Sequence, residues 1–209
     1  MPGTKASQEE RREQIMRAAY AVATVEGLDR LTIRQVAATA GLSGGLVLFH
    51  FETRDDVVIE LLEWLLERTA ALQIAPALAG EPPLERMCAL VGQEIHRLSA
   101  DPAQLRLLFE YWVLGIRHTP IQLRMLQDLH RYREAFVPVA VDLIAHYPDH
   151  FPGATPLGLA TVIVSVIKGY ALQTMINLDH TDSRELQLAA DAILRSFARA
   201  SGTNVPDTT

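Results

Sequence analysis

Residues 32–51 read TIRQVAATAGLSGGLVLFHF, and the order of start and stop signals within them decides the fold. Thr32 followed by Gln35 is a capping-box pattern, in which each of the two side chains takes up a backbone amide that the first helical turn leaves free. Behind it Ile33, Val36, Ala37 and Ala40 trace one apolar stripe at helical spacing. Gly41 supplies the stop. A second, very short helix is expected from Ser43 to about Phe49. Two short helices joined by a tight Gly-containing turn make a helix-turn-helix, whose second helix can enter the major groove of DNA. Gly44 and Gly45 weaken that helix, each by about 1 kcal/mol relative to Ala.

The flanking sequence continues in the same style. Ser7 with Glu10 caps a helix bearing Ile15, Ala18, Ala19 and Val22, which Gly27 ends. Thr53 opens a long helix with Val58, Leu61, Leu62 and Leu65. Pro and Gly cluster at Gly80 to Pro83, where a larger helical region starts. Pro83, Pro102, Pro120 and Pro156 each suit a first helical position, with Asp101, Thr119 and Thr155 as N-caps before three of them. Asp182 with Glu185 marks a last helix. No strand pattern and no internal repeat is found. The expected architecture is all-α: a helix-turn-helix DNA-binding domain over residues 1–52, a larger helical bundle over 53–203, and a tail over 204–209.

Composition bounds the function. The chain has 209 residues, 49% of them hydrophobic, and a formal charge of −6. Seven basic residues against six acidic ones leave the segment through Arg54 at +1, so the remainder carries −7. An acidic body repels phosphate and leaves the N-terminal segment as the DNA-facing surface. The single Cys88 has no intrachain disulfide partner, and the charged residues from Lys5 to Arg17 do not read as a leader segment; a cytoplasmic protein is expected. Leu157 to Ile167 is apolar for 11 residues before Lys168, short of the roughly 20 that span a bilayer. A buried helix, not a membrane span, is the reading. His146 and His150 have the i, i+4 spacing of a metal pair, but Pro148 between them breaks the helix this spacing requires, so no metal and no cofactor are expected. No nucleophile triad, phosphate loop or paired-Cys pattern points to an enzyme.

With these residues in view, the run Thr32 to Ala37, then Ala40-Gly41-Leu42-Ser43, Gly45, His50-Phe51 and Thr53-Arg54 resembles the signature of the TetR family of transcriptional regulators. Lys168 to Gln173 resembles that family's penultimate helix, and Leu108 to Arg133 the ligand domain of the BetI-like group. The resemblance implies a homodimeric, effector-released repressor bound to a palindromic double-stranded operator. It implies DNA contacts by Thr32, Arg34, Ser43, Gly44, Gly45, Leu46, Leu48, Phe49, His50 and Arg54. Thr32 and Ser43 would offer hydroxyls to phosphates at helix N-termini, Arg34 a guanidinium to phosphate or guanine, and Leu46 an apolar contact to a thymine methyl. His50 and Arg54 stand where the family contacts phosphate. The chain departs from the family in having Leu48 where Tyr is common, and no Lys or Arg in the recognition helix.

Residues 105–147 mix polar and aromatic side chains with Leu and Met, as a pocket between bundle helices does. The expected lining of a small-molecule effector site is Met87, Phe109, Trp112, His130 and Gln173. The helix from Pro156 to Asp179 is apolar nearly all round, which implies burial on more than one side. Paired with the last helix it would form a four-helix dimer interface through Ser165, Gly169, Leu172, Leu186, Ala190, Ile193 and Phe197. A rival reading keeps the fold and the ligand but acts through a protein partner without specific DNA binding.

Overall fold

The computed structural model describes residues 7–68, 78–176 and 183–199, with the main chain alone at 183, 186 and 197–199. Ten α-helices, and no strand, occur among the described residues. They form two compact packing units.

The first unit contains α1 (Gln8–Glu26), α2 (Ile33–Ala40), α3 (Gly44–His50) and α4 (Arg54–Arg68), together with α6 (Pro102–Gly115) from Ala103 on and α7 (Thr119–Glu134) as far as Asp128. Each N-terminal start follows its expected cap. Ser7 and Glu10 form a complete capping box on α1, Thr32 and Gln35 another on α2, and the Ser43 hydroxyl accepts the Leu46 amide at 3.2 Å. Thr53 and Asp56 reciprocate at the start of α4, the Asp56 amide donating to the Thr53 hydroxyl at 3.1 Å. Gly41 ends α2 in the left-handed region at φ +66, as a C-terminal glycine can without a Cβ clash. One core joins all these helices: Ile15, Ala19 and Val22 of α1, Val36 of α2, Val47 of α3, Val58, Leu61, Leu62 and Leu65 of α4, and Leu107, Tyr111, Ile121 and Met125 of α6 and α7.

The packing therefore divides the chain elsewhere than at residues 52 and 53. α4 buries Val57, Val58, Leu61, Leu62, Leu65 and Leu66 in the same core as α1. A helix with that much buried apolar surface, each such side chain contributing about 1.5–3 kcal/mol, packs as part of the N-terminal unit. The α7 start also differs from expectation: Thr119 is its first helical residue, and the His118 carbonyl accepts the first helical bond, from Gln122.

The second unit holds α5 (Pro83–Ala100), the rest of α7, α8 (Val137–His146), α9 (Pro156–Ile176) and α10 (Ser183–Arg199). Thr155 caps α9 as expected, its hydroxyl accepting the Gly158 amide at 3.0 Å. α8 ends at His146 and a 3-10 turn begins at Pro148, so His146 and His150 do not share a helix. Glu94, 1% exposed, carries a charge into this core. Its carboxylate accepts Arg97 Nη2 at 2.7 Å and the Tyr132 hydroxyl at 2.6 Å, which offsets the desolvation an unpaired carboxylate would suffer. α9 as a whole is long and apolar enough to cross a membrane by length and composition, and 39% of its most apolar window is buried. The opposite side carries Leu157, Val162, Val166, Leu172 and Ile176 in water.

Cys88 is buried on α5, and burial, reinforced by the Asp191 carboxylate, pushes its thiol up to about 12. Thiolate at pH 8 is then on the order of one part in ten thousand. Iodoacetamide at that pH is expected to modify Cys88 in urea but not in the native chain; equal rates in the two states would show that α5 is not packed as described.

Candidate nucleic-acid interface

The expected recognition helix, α3, is seated by two apolar anchors and presents an unlike face outward. Val47 is fully buried and Phe51, just past the helix, is 3% exposed, whereas Leu48 is 46% and Phe49 77% exposed. Gly44 and Gly45, one turn earlier, have open space where a Cβ would stand. α1 fixes the ends of both short helices. The Gln14 side-chain amide donates to the Ala40 carbonyl at 2.7 Å, closing α2. Arg12 donates to the His50 carbonyl at 3.2 Å and to Glu60 at 2.7 Å, with its guanidinium 4.6 Å from the Phe51 ring centre. Terminal carbonyls have no partner within their own helix, so such donors fix where α2 and α3 stop and how they face. A polar set does the same for α4: Glu13 accepts the Trp64 indole at 2.7 Å and Arg68 at 2.8 Å.

Of the residues the resemblance assigns to DNA, most lie on this outer surface. Arg34 is exposed and has neither ion pair nor hydrogen bond among the described residues. The Thr32 hydroxyl accepts the Gln35 backbone amide at 3.2 Å and donates its proton to the Gln35 side-chain Oε1 at 2.7 Å, so it is spent on the cap. Ser43 is exposed and keeps its hydroxyl proton while capping α3. Leu46 is half-buried, less available than Leu48 and Phe49. His50 is half-buried with Nδ1 buried and unbonded, and its ring meets Phe49 edge-on at 5.4 Å.

Arg54, expected to contact phosphate, is tied to the protein's own backbone in this structure. Its guanidinium turns inward, donating through Nε to the Leu31 carbonyl at 2.9 Å and through Nη2 to the Leu28 carbonyl, with Asp55 on Nη1 at 3.0 Å. The 3-10 turn Leu28–Arg30 ends beside α4 with carbonyls that need donors, and Arg54 supplies them. Leu28 is held from the other side as well: its amide donates to the Glu110 carboxylate of α6 at 2.7 Å. Tyr111, the next residue, donates to the Val58 carbonyl of α4 at 2.8 Å, and Arg124 of α7 pairs with Glu63. Spacing could not reveal these backbone and inter-helix partners, which lie 23 to 82 residues apart.

The five expected effector residues are divided between the two units. Phe109 and Trp112 belong to the first unit, and Met87, His130 and Gln173 to the second. Met87 is fully buried in its core. His130 lies on the solvated stripe of α7, 3.9 Å from Glu134 one turn on, and Gln173 is exposed on α9. Helix α7 places residues 130 and 134 on one outer face, so His130 faces water instead of apolar neighbours. A groove of about 470 Å³ along α1 and α2, another of about 330 Å³ beside it, and one of about 380 Å³ between α5 and α10 are lined by none of these five. Of the expected interface residues, Ser165, Leu172 and Ile193 are exposed, Gly169 has open space beside it, and Ala190 is half-buried. Leu186 and Phe197 lie outside the described side chains.

Comparison with known proteins agrees with this geometry. Residues 15–61, which contain α2 and α3 with most of α1 and the first half of α4, match the family model described as bacterial regulatory proteins, tetR family. The HTH-type transcriptional regulator BetI of Yersinia pestis is 23% identical over 180 residues, covering 85% of this chain and 87% of its own length. The BetI of Stenotrophomonas maltophilia is 27% identical over 124 residues, 59% of this chain and 62% of that one. Among solved structures, a TetR transcription regulator from Haloarcula marismortui superposes with a TM-score of 0.72 at 21% identity, over 92% of this chain and 98% of that one. A transcriptional regulator from Saccharomonospora viridis, solved in complex with choline, gives 0.72 at 17% identity, over 91% and 96%.

Arg54→Ala is expected to lower unfolding stability by about 1–3 kcal/mol, because it removes the guanidinium donor to the Leu31 carbonyl and leaves the Leu28 carbonyl only the Leu31 amide. Arg34→Ala, on the open surface, should change stability by less than about 0.5 kcal/mol. Urea midpoints measure both, and equal midpoints would show that the Arg54 bonds are not made in solution.

Proposed function

The chain is a DNA-binding transcriptional regulator of the TetR family, and from that premise we propose that it works as a homodimeric repressor, released from a palindromic operator by a small-molecule effector. α3 enters the major groove, and Arg34 with the helix N-termini at Thr32 and Ser43 addresses phosphate. Residues 1–52 form the reading head, residues 53–203 serve effector binding and dimerisation, and the protein acts in the cytoplasm.

The observation that carries the dimer is the apolar face that α9 and α10 leave in water. Val162, Val166, Leu172 and Ile176 of α9 and Leu188 and Ile193 of α10 are all between 46% and 83% exposed. A second copy covering this face removes it from water, which also explains a helix apolar all round without invoking a membrane. Two-fold symmetry then presents two copies of α3 to successive half-sites.

Effector binding is supported by the choline complex formed by a regulator of this fold. Release is a population shift: an effector that binds two dimer geometries with different affinity favours the one that no longer fits the operator. α4 carries the movement, and Glu110 of α6 with Arg54 of α4 passes it to the reading head through Leu28.

Selection of bound duplexes from a random DNA pool tests the reading. An enriched palindrome, whose binding weakens in salt, is expected; failure to enrich at low salt as well as high would favour a ligand-binding protein that acts through a protein partner. On the enriched duplex, Arg34→Ala should lower affinity and reduce the slope of log K against log salt by about 1. Val166→Glu should produce a monomer in sedimentation equilibrium without loss of helicity, and a persistent dimer would reject the α9 interface.

A further inference from the structure

We propose that the operator is read through the 5-methyl groups of thymine, with Phe49 and Leu48 as the residues that set base preference. The inference rests on the DNA-binding reading above and adds the chemistry by which α3 chooses its sequence.

Hydrogen-bond readout needs side chains that α3 does not have. Bidentate recognition of guanine uses Arg or Lys and that of adenine uses Asn or Gln, and none of these occurs in Gly44–His50. The polar side chains at its ends are partly occupied: the Ser43 hydroxyl accepts the Leu46 amide, and His50 is half-buried behind Phe49. What α3 offers to solvent is apolar. Phe49 and Leu48 are the two large side chains exposed on it, at 77% and 46%.

Their setting fits a groove. Leu48 and Phe49 lie one helical turn beyond Gly44 and Gly45, which carry no side chain and have open space around them. Nothing on that face holds the helix away from the base edges. Val47 and Phe51 are buried on the other side, and Arg12 holds the His50 carbonyl, so the outward direction of residues 48 and 49 is fixed by packing. The edge-on contact with His50 restrains the Phe49 ring. The thymine methyl is the apolar group of the major groove, and Phe is a side chain that contacts it. The low positive charge of the reading head, +1 through Arg54, is consistent with specificity that draws on apolar burial beyond phosphate attraction.

The test uses the full chain and the duplex enriched from the random pool. Deoxyuridine replaces thymidine at single positions of the half-site, which removes one methyl and keeps the base pair, with flanking replacements as the control. Loss of about fourfold in affinity per contacted methyl is expected for the wild-type chain, the effect of one buried methyl group. Phe49→Ala and Leu48→Ala should each weaken binding to the thymidine duplex and abolish the uridine penalty at their own position, with unchanged thermal midpoints. Equal affinity for thymidine and uridine duplexes at every position would overturn the proposal while leaving the regulator reading intact. Failure to enrich any duplex would overturn both.

Discussion

The peptide units of Leu28 are the point on which the N-terminal unit depends. Leu28 is 2% exposed, its amide is taken by Glu110 of α6 and its carbonyl by Arg54 of α4. An unpaired buried backbone group costs about as much as a lost hydrogen bond, so each of these side chains satisfies a need that the short 3-10 turn creates. In doing so they join three helices that are far apart in sequence. Gly27 just before it has φ +85, a backbone conformation in which a side chain would be strained. The end of α1, the start of α4 and the middle of α6 are thus one structural corner.

α1 supplies the second level of organisation. Its inner face is apolar and its flank is polar, and the flank does specific work: Gln14 terminates α2, Arg12 terminates α3, and Glu13 receives both Trp64 and Arg68 of α4. Burial raises the Glu13 carboxyl, but the hydrogen bonds from Arg17 and Trp64 and the charge of Arg68 outweigh it and hold the group below its usual range. These contacts are partly exposed, and their individual energies are small. Their effect is directional. A seven-residue helix containing two glycines has little stability of its own, so its position is set by Val47, Phe51 and the Arg12 bond.

The surface left over divides by character. The reading head is nearly neutral and its recognition helix is uncharged, while the remainder is acidic. In the second unit, α9 and α10 each leave large apolar side chains exposed. Acidic bodies disfavour contact with DNA, and apolar faces favour contact with another protein surface. In the function proposed above, the head meets DNA and the body a second copy of the chain.

The sequence by itself determined the element types and many of their limits, since caps, stops and apolar period are local: Ser7, Thr32, Ser43, Thr53 and Thr155 begin helices where their spacing indicates, and Gly27 and Gly41 end them. It also made the helix-turn-helix legible, because that motif is a contiguous run. Only the tertiary structure decided what the long side chains do. Arg54, read beside α3 as a phosphate contact, donates inward to the Leu28 and Leu31 carbonyls within its reach, and Glu110, one polar residue among several on α6, became the partner of an amide 82 positions away. Whether Leu46 or Phe49 faces outward depended on which of them the α1 and α4 core could accept. His130 moved from expected pocket to solvated stripe for the same reason: helical phase is written in the sequence, but the neighbour that a given face meets is set by packing.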